Sequence, residues 1–223
     1  MTTTLIFMAI LMLVIAGWIL KQTMNSQPWE ASIEPPMGDS FSGRSLPQSD
    51  AKLGLFVFLA VVTSLFSLFI SAYMMRMELG DWRPLDEPNL LWFNTAALVL
   101  SSLALQWARV ATTREQINTV RNGMLIGGFF ALAFMVGQLM AWQQLVSTGY
   151  LAHSNPANAF FYLITGLHAL HLLGGLVVWS LTTLKLLKGV ELARVGLSVE
   201  LCAVYWHFLL VIWVILFSLL LST

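Results

Sequence analysis

Three histidines and one carboxylate stand inside two stretches that are otherwise apolar enough to cross a bilayer. His168 and His171 belong to the stretch from Phe160 to Gly175, and Glu200 and His207 to the stretch from Val199 to Phe208. An ionisable group at membrane depth is costly unless it is paired, neutralised or hydrated, so each needs a physical reason to be there. His168 and His171 are three residues apart and fall near one face of a helix. Three imidazoles at similar depth could ligate haem iron, copper or zinc. The competing reading is three neutral imidazoles that hydrogen-bond across the interface of the last two spans. Tyr162, Leu170, Trp206 and Phe208 favour the second reading, because they crowd the space a macrocycle would need. A lone Cys202 does not supply a cysteine–histidine copper cluster.

Glu200 has two readings of its own. Ser198 could cap the last helix, which puts Glu200 in its first turn, where backbone N–H groups and the helix dipole favour a carboxylate. Alternatively Glu200 faces the bundle, on nearly the same side as His207 but about 10 Å away along the axis.

The elements that position these residues are membrane spans. The chain is 58% hydrophobic and 10% charged, against about 25% charged for an ordinary soluble domain. A hydrocarbon core about 30 Å thick needs about 20 apolar residues per helix. Five segments meet this, at 53–75, 90–108, 123–145, 158–184 and 199–221. A sixth, 3–20, is uncharged; without a basic leader or a small-residue cleavage site it is read as a mature helix and not a signal peptide.

Lys21, Arg44, Lys52, Arg109, Arg114, Arg121, Lys185, Lys188 and Arg194 fall on one side of this arrangement and only Arg76 and Arg83 on the other. The positive-inside rule then predicts both termini outside and the three basic loops in the cytoplasm. The expected fold is an all-α polytopic membrane bundle of about six transmembrane helices. It comprises a helix at 1–21, a Pro/Gly/Ser-rich cytoplasmic linker at 22–50 and a five-helix core at 51–223. The loop from Arg76 to Asn89 reads as a Pro-shaped turn with Trp82 anchoring the interface.

Function classes narrow accordingly. Zero formal net charge gives no reason to expect a nucleic-acid partner. No span carries the spaced charges of a transporter or voltage sensor, nor paired Gly/Pro-broken half-helices. Glycines at 127, 128, 137, 166, 174 and 175 suggest a tight bundle.

The stretch Gly166-x-His168-x-x-His171-x-x-x-Gly175, with Glu200-x-x-x-x-Tyr205-Trp206-His207-Phe208-x-x-x-x-Trp213, resembles the last two helices of subunit III of haem–copper oxidases. Lys52-Leu53-Gly54, Trp82-x-Pro84, Asn94-Thr95, Ser101-Ser102 and Gln138 extend the resemblance over about residues 51–222. The family implies a five-helix core and a V-shaped cleft that holds phospholipid. It further implies packing against the catalytic subunit I, and subunit II nearby, with haem and copper in those partners and none here.

On this reading the chain has no catalytic, cofactor-binding or metal-binding residues. Glu200, His207, His168, His171 and Trp206 are its structural or lipid- and proton-related candidates. The expected location is a bacterial cytoplasmic membrane, and the complex a proton-translocating cytochrome c oxidase, favoured by Trp82-x-Pro84 and Asn94-Thr95. The alternatives are a histidine-ligated b-type cytochrome, or the equivalent subunit of a quinol oxidase or nitric oxide reductase. The sequence departs from the family at Val62 and Leu209-Leu210, where relatives often carry acids. That weakens any proton relay through this chain.

Overall fold

The computed structural model describes residues 48–83 and 89–222. The span expected at 3–20 and most of the linker expected at 22–50 lie outside the described residues. Within them are five helices and no strand: α1 (Gln48–Met77), α2 (Leu90–Thr113), α3 (Ile117–Ser147), α4 (Pro156–Leu187) and α5 (Leu192–Leu221). All five are long and apolar enough to cross a membrane, matching the five core spans. Each outruns its apolar stretch, because polar residues continue the helix at the ends. α5 has 30 residues, about 45 Å at 1.5 Å per residue, which exceeds a hydrocarbon core of about 30 Å.

The helix ends follow local chemistry. Asn155 caps α4, accepting from the Ala157 N–H at 3.3 Å, with Pro156 in the first turn where no N–H is missed. The same side chain donates to the Arg83 carbonyl at 2.6 Å, so one residue both starts a helix and ties two loops. α4 stops at Gly189, whose φ of +77° suits a residue without Cβ, and the Val190 N–H closes back on the Lys185 carbonyl at 3.2 Å.

Contacts divide the chain into residues 1–57 and 58–223; the first is described only at the start of α1, and the packing below concerns the second. α2 and α3 lie closest together, followed by α2 with α5, α4 with α5, and α3 with α4, which closes a ring of four helices. Gly123 and Gly127 permit the closest pairing. A Cβ on Gly123 would stand 2.9 Å from the Ala104 carbonyl oxygen, and one on Gly127 2.7 Å from Leu105 Cγ. Leu98, Leu105, Met124, Phe134, Leu172, Trp206 and Trp213 fill the interior. Residues 58–77 of α1 bury the stripe Leu59, Val62, Phe66, Ile70 and Tyr73, spaced by three or four as a helix face requires. The opposite face, with Val61, Leu68 and Met75, is exposed.

Candidate functional site

The polar residues of the spans concentrate on the seam between α2 and α5. His207 Nε2 lies 2.9 Å from Gln106 Oε1, and His207 Nδ1 bonds the Ser102 hydroxyl. An amide oxygen only accepts, so Nε2 carries the proton and Nδ1 receives the Ser102 O–H. Hydroxyl, imidazole and amide thus line up in the order of a nucleophile, its base and an orienting group. Ser102 is only 2% exposed, however, so its hydroxyl is closed off within the packed seam. The row serves as a tie between two helices. On one side of it Trp213 Nε1 donates to Thr95 Oγ1 at 2.9 Å, and on the other Arg109 reaches Glu200 at 3.4 Å. Thr95, Ser102, Gln106 and Arg109 are spaced by seven, four and three residues, so they share one face of α2.

Two sequence expectations change here. α5 begins at Leu192 after Glu191, so Ser198 is not its cap and Glu200 lies in the third turn, paired across the interface. Burial of Val195 and Val199 against the bundle extends the helix beyond its uniformly apolar part. Arg109, expected in a basic loop, is inside α2.

The other two histidines are elsewhere. His168 is fully buried in a cage of rings, with centroids 5.3 Å from Trp213, 5.9 Å from Phe134 and 6.4 Å from Phe66. Neither of its ring nitrogens has a hydrogen-bond partner among the described residues. His171 Nδ1 donates to the Leu167 carbonyl of its own helix at 2.8 Å, and its ring packs 5.5 Å from Phe66 and 6.3 Å from Phe58. Among the described residues the histidine side chains therefore make no hydrogen bond between the last two spans, where the sequence suggested one; His168 meets the last span through its ring contact with Trp213. α4 and α5 are neighbours, but the bond joining them runs from the Tyr205 hydroxyl to the His171 backbone carbonyl, 2.8 Å. Trp206 is fully buried where Gly175 makes room: a Cβ there would meet its Cζ3 at 2.8 Å.

These positions do not fit a haem. Both nitrogens of His207 are engaged by α2, and aromatic rings occupy the surroundings of His168. Among the described residues no group of three or more His, Cys, Asp or Glu side chains could hold a metal ion.

At the opposite end of the bundle from Arg109, the loop after α1 is ordered by Arg76, whose Nη1 and Nη2 donate to the two Asp81 oxygens at 2.6 and 2.5 Å. That hydrogen bonding holds the Asp81 carboxyl below the usual range. Trp82 packs edge-on against Tyr73, centroids 4.9 Å apart, and also against Phe160 at 6.3 Å.

The residues missed by sequence reasoning are Gln106 and Arg109. Their signal was available: two polar side chains one turn apart, in register with Ser102, within an apolar span.

Fold and site together define a polytopic membrane helix bundle whose interior polar groups mostly bond one helix to another. The family model for cytochrome c oxidase subunit III matches residues 5–222, so the chain belongs to that family of non-catalytic membrane subunits of haem–copper oxidases. It is 30% identical over 173 residues to cytochrome c oxidase subunit 3 of Thermostichus vulcanus, covering 75% of this chain and 85% of the relative. With the subunit 3 of Corynebacterium diphtheriae it shares 27% identity over 173 residues, 74% of this chain and 84% of the relative. A protein of Aeropyrum pernix named heme-copper oxidase subunit I+III is 24% identical over 184 residues, which is 78% of this chain but 23% of that longer protein.

Proposed function

We propose that this chain packs against subunit I of a respiratory cytochrome c oxidase, beside subunit II, and stabilises it while holding phospholipid in a cleft. The membrane is a bacterial cytoplasmic membrane, both termini lie outside, and six spans are arranged as a helix at 1–21, a linker at 22–50 and the core at 51–223. Haem and copper belong to the partner subunits. Glu200, His168, His171, His207 and Trp206 act structurally, and the chain lies off the obligatory proton path, with Val62 and Leu209-Leu210 in place of acids.

The observation that carries this reading is the engagement of His207, the span histidine bonded through both nitrogens, in a chain matched to the family over residues 5–222. The fusion named subunit I+III in Aeropyrum pernix supports subunit I as the neighbour, since one polypeptide there carries both names. A tagged chain purified from its own membrane in mild detergent tests the proposal. A multi-span haem-bearing partner should co-purify; a chain that purifies without one, or that carries haem itself, contradicts it.

A further inference from the structure

The four helices of the ring meet at one level through a closed cycle of side chains. Asn94 Nδ2 of α2 reaches Gln138 Oε1 of α3 at 3.4 Å, and the Phe134 ring of α3 lies 5.9 Å from the His168 ring of α4. The His168 ring is 5.3 Å from that of Trp213 in α5, whose indole N–H returns to Thr95 of α2 at 2.9 Å. A further rung between α3 and α4, from Trp142 Nε1 to Thr165 Oγ1 at 3.2 Å, fixes their register. Gln138 is four residues from both Trp142 and Phe134, and His168 is three from Thr165. One helical turn on from the Trp142–Thr165 rung therefore brings α3 to Gln138 and α4 to His168.

Both side chains are buried and short of partners. Gln138 is 1% exposed; its Oε1 is turned to Asn94, and its Nε2 donor has no partner among the described residues. His168 is fully buried, and the same holds for both of its ring nitrogens. A neutral imidazole carries one donor and one acceptor. Unmatched polar atoms away from water are costly, and the molecule that both accepts from an amide and donates to an imidazole is water. One water needs only about 10–15 Å³ of probe-sized space, and the buried residues beside the pair, Ala141 on α3 and Ala169 on α4, are small. We propose that Gln138 and His168 bind one buried water inside the ring. Gln138 Nε2–H donates to its oxygen, and the water donates to the unprotonated nitrogen of His168. The other nitrogen carries its proton toward the cage, where the Phe66 and Phe134 rings stand at 64° and 80° to the imidazole and an N–H can meet a ring face. His168 is thereby tied to α3 through water. The site lies within one chain and is independent of the subunit reading above.

The test is a cryo-EM map of the chain purified from its own membrane with its bound partners, at a resolution that shows ordered water. The expected result is one isolated density about 3 Å from both Gln138 Nε2 and a His168 ring nitrogen. A direct Gln138–His168 bond, or well-defined side chains with nothing between them, overturns the site. A double-mutant cycle reads the same bridge through stability. Gln138→Met and His168→Leu should each lower the melting temperature of the subunit in its complex. The double variant should lose clearly less than their sum, because the bridge is already broken once its first partner is gone. Strictly additive losses overturn the proposal. The map uses the unaltered chain, so it decides the question even where a variant fails to accumulate.

Discussion

Helices α2 and α3 meet backbone to backbone, whereas residues 58–77 of α1 reach the bundle through aromatic rings. At the first contact Gly123 and Gly127 lack the Cβ that would crowd the Ala104 carbonyl oxygen and Leu105, and the Ser101 hydroxyl donates to the Gly127 carbonyl at 2.7 Å. At the second, Phe58 packs 6.1 Å from the Tyr205 ring, and Tyr73 5.6 Å from Phe160. The hydroxyls of Thr63 and Ser64 turn back onto carbonyls of their own helix and, among the described residues, tie α1 to no other helix. Lipid tails are as apolar as leucine, so burial alone drives little association in a membrane. Close packing and interhelical bonds decide it. By that measure α2–α3 is the fixed part of the molecule and α1 the more easily displaced one.

The comparison breaks first at Gly127. Gly127→Leu drives a side chain into Leu105 at a close contact between the two helices and should cost roughly 4 kcal/mol, from overpacking and the strained Ser101 bond together. Accumulation of the subunit should collapse. Val61→Leu, on the exposed face of α1, should leave the melting temperature of the complex unchanged. If the two variants behave alike, close packing is not what holds α2 to α3.

Phe66→Ala comes next. The ring is 1% exposed and touches both His168 and His171. Its removal should cost about 3 kcal/mol. The loss should be local: proteolysis near residues 78–83 should accelerate while a cross-link between α2 and α3 persists. Equal loosening of both regions would show that α1 is part of the fixed core.

Much of this contrast was legible beforehand. The five spans follow from uninterrupted apolar runs, because only a helix satisfies its own backbone in lipid. The adjacency of α4 and α5 followed from their short connection. The histidine partners did not. Ser102 and Gln106 lie 105 and 101 residues from His207, and nothing local tells an imidazole which of several neighbouring helices it will face. The start of α5 was misjudged because a helix continues past its apolar run whenever buried side chains such as Val195 still find a surface. His168 was legible as a buried polar residue, but its cage required knowing that Phe66, Phe134 and Trp213 converge from three other helices.

Glu200→Gln tests the polar seam with a smaller effect. It removes the charge pairing with Arg109, a partly exposed ion pair about 1 kcal/mol or less in value. In the intact complex the initial rate and proton pumping should be normal, and activity should decay faster over many turnovers. A large drop in initial rate would place Glu200 on a proton path.

The smallest effect belongs to the loop after α1. With its carboxyl lowered by Arg76, Asp81 favours the folded loop above the unfolded carboxyl value of about 3.9 and loses that contribution as pH falls through its lower native value. The melting difference between wild type and Asp81→Asn should be constant from about pH 8 to pH 5, begin to shrink near the unfolded carboxyl value of about 3.9 and vanish only as pH falls through the lower native value. A difference that grows on acidification would reverse the sign of the interaction.

The central claim is that the histidines of the spans hold helices and not metals. Replacing His168, His171 and His207 together, with haem and copper measured per mole of the haem-bearing partner, tests it most directly. The account predicts unchanged haem and copper and a lower melting temperature of the complex. Loss of one haem or of copper, with the partner still bound, would contradict it.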